Sequence, residues 1–200
     1  MRIHYFLGST LAAGLLALRM PMLHAQEPAA AVAAAVLPLP EPLRPGATVV
    51  RLSRDGHVDT LRAGSNPMVC FADNPSDTLL DVRCYHSTFV PMIYAARRLG
   101  PSTRNADAMD GRIRAEIAAG RLVVPPSPTA GYRVLGPLRG YDPATGTLSS
   151  AMDRWQSIHA PFATLASMGV GDVPHGIEPY MMASGTWWAH VMIMQAPLRY

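Results

Sequence analysis

Thr48-Val-Val-Arg-Leu52, Ser53-Arg-Asp-Gly56 and His57-Val-Asp-Thr-Leu-Arg62 run on without interruption. Both flanks alternate apolar or β-branched residues with polar ones, and Asp55-Gly56 between them is a tight-turn dipeptide, so the stretch predicts a β-hairpin. Just downstream, Pro67 to Phe71 and Thr78 to Tyr85 flank the turn cluster Asp73-Asn74-Pro75-Ser76 and predict a second strand pair. Cys70 and Cys84, the chain's two cysteines, fall near the ends of that pair. Thirteen residues separate them, which suits a disulfide better than a zinc site with its short C-x2-4-C spacing. Closing such a loop stabilises a fold by roughly 3 kcal/mol in the chain-entropy model.

Further along, Ser87 is an N-cap residue type ahead of a helix from Thr88 to Leu99, where Phe89, Ile93, Ala96 and Leu99 follow helical spacing. Pro91 is tolerable in the first turn, and Gly100-Pro101 ends the helix. A second helix is expected from Asp107 to Ala119, with Met109, Ile113 and Ile117 on one face and Gly120 as terminator. Short apolar runs follow at 122–124, 132–135, 152–158, 179–182 and 189–195, separated by Pro, Gly and Asp-Pro turns; the run at 152–158 also fits a helix. Strands, two helices, then more strands predict a single α+β domain over residues 47–200 with a mainly antiparallel sheet.

The chain has 200 residues and a formal charge of +3 from 17 basic and 14 acidic side chains. Every basic residue is arginine, so a P-loop lysine, a Schiff-base lysine and a Ser-Lys dyad are excluded. Residues 1–25 have the layout of a secretory signal: Arg2, then the uncharged run Phe6 to Leu18, then a break at Arg19 and Pro21. That run of 13 residues is shorter than the ~20 needed to span a bilayer as a helix. Cleavage is expected between Ala25 and Gln26, which removes Arg2 and Arg19 and lowers the charge to +1. The mature chain is then exported, periplasmic or extracellular, without a transmembrane anchor. Residues 26–46, rich in Ala and Pro, read as an extended, disordered linker, with a short helix over Ala29 to Val36 the alternative.

Five histidines survive processing: His57, His86, His159, His175 and His190. None has the spacing of a zincin, haem-attachment or hydrolase motif, and no catalytic residue is identifiable. On a strand, His190, Met192 and Met194 share a face, an imidazole with two thioethers that suits Cu(I), with Met181 and Met182 close in sequence. A buried strand in which Met fills space explains the same residues, so no cofactor is predicted and copper is the alternative. Asp55, His57 and Asp59 resemble a carboxylate-oriented base but lack a nucleophile, and a solvated hairpin face explains them equally. Trp187 and Trp188, with Trp155 and Tyr180 converging from other strands, form an aromatic candidate for ligand contact. Adjacent strand residues would point the two tryptophans to opposite faces. Arg97, Arg98, Arg112 and Arg114 are balanced by Asp107, Asp110 and Glu116, so a nucleic-acid partner is not expected.

Leu61-Arg-Ala-Gly-Ser-Asn66, Cys70, Asp73-Asn-Pro75, Cys84-Tyr-His86, Tyr141-Asp-Pro-Ala-Thr-Gly146 and Gly185 through Ile193 occur in that order. The set resembles a group of exported bacterial proteins of no established activity. The resemblance implies secretion and a compact domain, and points to the Cys84-Tyr85-His86 turn and the Gly185–Ile193 segment as places for a site. The ligand candidates are therefore His86, Trp187, Trp188 and His190. The expected function is a non-catalytic module binding an unknown small molecule or protein. The alternative is a small extracytoplasmic enzyme or soft-metal handler built on His86 and His190.

Overall fold

The computed structural model describes residues 23–74, 78–100 and 106–193. Its centre is an eight-stranded sheet of β1 (Thr48–Leu52), β2 (Val58–Arg62), β3 (Met68–Phe71), β4 (Leu79–His86), β5 (Thr129–Pro137), β8 (Asp153–His159), β9 (Tyr180–Met182) and β10 (His190–Ile193). The order across it is β2-β1-β3-β4-β5-β8-β10-β9. Every pairing is antiparallel except β1 with β3. A separate two-stranded ribbon pairs β6 (Tyr141–Asp142) with β7 (Thr147–Leu148). Four α-helices complete the described residues: α1 (Leu23–Ala35), α2 (Val90–Arg98), α3 (Ala106–Ala118) and α4 (Leu165–Met168). The fold is thus α+β with a mixed, mainly antiparallel sheet.

The hairpin forms as its sequence requires, with Asp55 Oδ1 accepting from the His57 N–H across the turn and Gly56 at φ +87°. The chain then crosses the end of β1 to start β3 alongside it. Only glycine fits at position 64 there, because a Cβ would lie 2.4 Å from the Gly46 carbonyl oxygen. Cys70 and Cys84 are directly opposed on β3 and β4 and are joined by a disulfide with both sulfurs buried.

Residues 26–46 are not the disordered linker expected. Helix α1 runs through Ala35, and Ala35, Val36, Leu39 and Ala47 pack on Val49, Met68 and both cysteines. Ala34 and Leu37 pack on Leu80, Val82 and Val134. An Ala-rich segment this short is marginal alone, and here the sheet face supplies the burial that propensity cannot. Side-chain donors satisfy carbonyls of this Pro-rich segment: Arg44 bonds the nearby Leu39 and Leu37 carbonyls, and, from further along the chain, Arg62 bonds those of Ala47 and Arg44 and Asn66 that of Leu43. The expected cleavage point after Ala25 falls within the first turn of α1.

Helices α2 and α3 cover the β1-β3-β4 part of the opposite face, where Met92, Ala95, Met109 and Ile113 pack with Val50, Phe71 and Tyr85. Pro91 occupies the first turn of α2 as expected, but the N-cap residue is Phe89, not Ser87. Phe89 is fully buried and has no capping side chain, so packing sets this helix start. The run at 122–124 is not a strand: Leu122 is buried, Val123 is exposed, and Pro125-Pro126 removes the donors a ladder needs. The doubtful run at 152–158 is strand β8.

Candidate functional site

Next to α2, the face shared by β4, β5, β8, β10 and β9 carries three cross-strand rows. The first is Arg83, Arg133 and Trp155. The second is Tyr85, Gly131, Ser157, Met192 and Tyr180. The third is Thr129, His159, His190 and Met182. Successive rows lie about 7 Å apart, two residues along each strand. At Gly131 the missing side chain makes room for the His159 ring and Ser157 Oγ, which a Cβ there would meet at 2.8 Å. The face carries a cavity of about 370 Å³ lined by residues of all three rows together with Tyr132 and Trp188. A smaller one of about 210 Å³ adjoins it, sharing Arg83, Tyr85 and Trp188.

At one end, Asp81 binds both arginines side-on. Arg133 donates Nε to Oδ1 at 2.7 Å and Nη2 to Oδ2 at 2.8 Å, and Arg83 makes the corresponding pair. Burial alone would raise the Asp81 carboxyl, but the two guanidinium groups outweigh it and hold the carboxyl down to about 2. Arg133 also lies over the Trp155 ring, 4.8 Å from its centroid, a cation–π contact.

At the other end the imidazoles of His159 and His190 stack, and His159 is walled in by Tyr85, Phe89 and Trp188 at 4.5–5.2 Å. Burial, and then the neighbouring His190, depress His159 to about 3. Burial lowers His190 as well, opposed by its bond to the Trp188 carbonyl. Both rings are therefore neutral at pH 7. His190 Nδ1 is 2.7 Å from that carbonyl oxygen and must donate to it, leaving Nε2 with the lone pair.

His159 Nε2 lies 3.1 Å from Ser157 Oγ, a serine–imidazole contact inside the cavity. Among the described residues, however, buried His159 Nδ1 has no hydrogen-bond partner. An unpaired buried N–H is costly, so the proton belongs on Nε2, which donates to Ser157 Oγ. The hydroxyl is directed at the Gly131 carbonyl, 3.5 Å away. In this arrangement the ring cannot accept the serine proton.

Trp188 is placed by α3. Asp110 Oδ1 accepts from the Trp187 N–H at 2.7 Å, and Arg114, paired with Asp110 at 2.6 Å, donates to the Gly185 carbonyl. The loop bends through Ala183 at φ +54°. Trp187 and Trp188 therefore lie in a turn, not a strand. Their rings touch at 5.0 Å and pack on the same core, contrary to the expected opposite faces, and only Trp188 lines the cavity.

Of the other sequence candidates, His190 and Met192 line the cavity, with Trp155 and Tyr180 as the aromatic pattern suggested. Met194 lies outside the described residues. His86 ends β4, one residue past Tyr85, so its register row is that of Ala130, Ile158 and Val191 on the opposite face. Its Nδ1 accepts from the Thr88 N–H at the turn into α2. His86 and His190 thus share no site. Asp55, His57 and Asp59 are exposed on the hairpin, away from both cavities. Sequence reasoning did not single out Arg83, Gly131, Arg133, Ser157 or His159. The Ser157-x-His159 alternation was a usable signal only once that run was known to be a strand.

The site is thus a ligand-sized hollow on one sheet face of an α+β fold. No protein-family model, curated protein or solved structure matches this chain.

Proposed function

We propose that the chain is a binding module that holds a small organic molecule in the cavity between the arginine and histidine rows without transforming it. The observation that carries this reading is at His159: the cavity contains a hydroxyl and an imidazole, yet among the described residues no third group bonds His159 Nδ1 to orient the ring and stabilise an imidazolium, as nucleophile activation requires. What remains is a concave, largely aromatic surface with a few convergent polar groups, as small-molecule sites are built. The volume of about 370 Å³ is at the low end for such sites, roughly 300–1,000 Å³. A ligand-detected NMR screen of small aromatic compounds against the protein and its Ser157→Leu variant tests the reading. Binders lost on filling the hollow support it, and binders indifferent to the change refute it. Covalent labelling of Ser157 by a fluorophosphonate would overturn its non-catalytic half.

A second reading has one specific observation behind it. Met182 is the direct cross-strand partner of His190, and both line the cavity with Met192, so a neutral imidazole and two thioethers reach one hollow and suit Cu(I). Titration against a Cu(I) chelator under reducing conditions decides it, and affinity no tighter than micromolar removes it.

Export also belongs to the proposal. It is supported by the signal-like residues 1–25, of which 1–22 lie outside the described part, and by a buried disulfide of the kind that persists in oxidising compartments. N-terminal sequencing of protein recovered outside the cytoplasm tests it, and an intact Met1 would sink it.

A further inference from the structure

The charged row of the cavity has more positive than negative charge. Arg83 and Arg133 both line it, no acidic residue is among its lining residues, and the carboxylate that both arginines bind, Asp81, lines the smaller cavity instead. Two guanidinium groups against one carboxylate leave a net charge of +1. Each arginine uses its Nε and Nη2 in the ion pair; Arg83 also bonds the Tyr85 side chain, and the Nη1 edge of Arg133 stays outside the ion pair. An edge of that kind recognises a second carboxylate. Asp81 thus serves to hold two guanidinium groups in place at a cavity wall, fixed further by the Trp155 ring beneath Arg133.

Apart from the arginines, the histidines and Ser157, the lining is aromatic and thioether: Tyr85, Tyr132, Trp155, Tyr180, Trp188, Met182 and Met192. Flat surfaces of this kind favour a ring. At the far row, His190 offers the Nε2 lone pair, because its Nδ1 is committed to the Trp188 carbonyl. The two outer rows lie about 14 Å apart along the strands, four residues at ~3.4 Å each, before their side chains lean inward.

We infer that the molecule held in this cavity is a small aromatic carboxylate, its acid group on Arg83 and Arg133, its ring against the aromatic lining, and an N–H or O–H donor directed to His190. The inference rests on the binding reading above and adds the ligand's charge, shape and polarity to it.

Three probes of nearly one shape test it by isothermal titration: 4-hydroxyphenylacetate, the uncharged 4-hydroxyphenylacetamide and the cationic tyramine. The acid is expected to bind at least tenfold more tightly than the amide, with no detectable binding of the amine. Raising NaCl to 0.5 M is expected to weaken the acid and leave the amide unchanged, a readout that needs no variant. Arg133→Gln, checked for folding by circular dichroism, is expected to abolish the preference for the acid. Equal binding of acid, amide and amine would overturn the anion assignment while leaving the cavity as a binding site. Failure of all three at millimolar concentration, with no hit in the wider screen, would overturn the binding reading and this inference with it.

Discussion

His159 and His190 are direct cross-strand partners whose rings stack at 4.9 Å and within 23° of parallel. Two imidazoles so placed in an apolar wall are held neutral. That gives the protein a pH dependence whose sign is set by burial.

Unfolded His159 takes up a proton near its ordinary value of 6.5, whereas the folded ring resists until about 3. Stability is therefore fully present above pH 6.5 and falls by about 1.4 kcal/mol per pH unit below it. His190, also depressed, adds to the fall. Asp81, held at about 2 against an ordinary 3.8, adds a further loss as pH drops from 3.8 toward 2. Urea unfolding at pH 7.5, 6 and 5 is expected to show this slope, and His159→Phe to flatten it by about one proton's worth. An unchanged slope in the variant would refute the assignment.

Gly131→Ala would place a Cβ 2.8 Å from both His159 Cδ2 and Ser157 Oγ. His159 has no room to retreat, being packed by Tyr85, Phe89 and Trp188. A loss of about 1–3 kcal/mol is expected from overpacking, read in urea unfolding, together with weaker binding of any cavity ligand.

Thr129, directly opposite His159, buries a hydroxyl that has no hydrogen-bond partner among the described residues. Thr129→Val keeps the shape and removes the unsatisfied group. It is expected to stabilise by about 1 kcal/mol, raising Tm by roughly 2–4 °C for a chain of this size. A fall in Tm would show that the hydroxyl has a partner.

Asp110 holds Trp188 indirectly, by accepting from the Trp187 N–H and by pairing with Arg114, which bonds the Gly185 carbonyl. Asp110→Ala is expected to shift tryptophan emission to the red as the indole gains water, and to weaken cavity binding. Asp110→Asn retains an acceptor for the N–H and is expected to restore part of both. Equal effects of the two variants would remove the clamp.

Alkylation of the native, unreduced protein is expected to modify no thiol, because Cys70 and Cys84 are joined and fully buried between α1 and the sheet. Replacing both by Ala is expected to cost about 3 kcal/mol in urea unfolding. A modified cysteine in the native mass spectrum would contradict the bridge.

The elements legible in the residues are those whose causes are local. The Thr48–Arg62 hairpin follows from period-two alternation around Asp55-Gly56, and the Cys70–Cys84 bridge from two strands flanking one turn. The positions of α2 and α3 follow from helical spacing that ends at glycine. The run at 152–158 was ambiguous because seven apolar and polar residues satisfy either period. Read as a helix, Ser157 and His159 would point apart, which is why that pair was not found.

By itself, then, the sequence determined the hairpin, the disulfide, the α+β class, the absence of lysine chemistry and the signal-like N-terminus, all of which depend on residues near one another in the chain. Only the tertiary structure decided that β1 runs parallel to β3, that the Ala/Pro segment folds as α1 against the disulfide, and that Arg83, Arg133, Ser157, His159 and His190 meet in one hollow. The physical reason is that strand order and burial arise from pairing between distant segments. Neither leaves a mark in the composition or periodicity of any one of them.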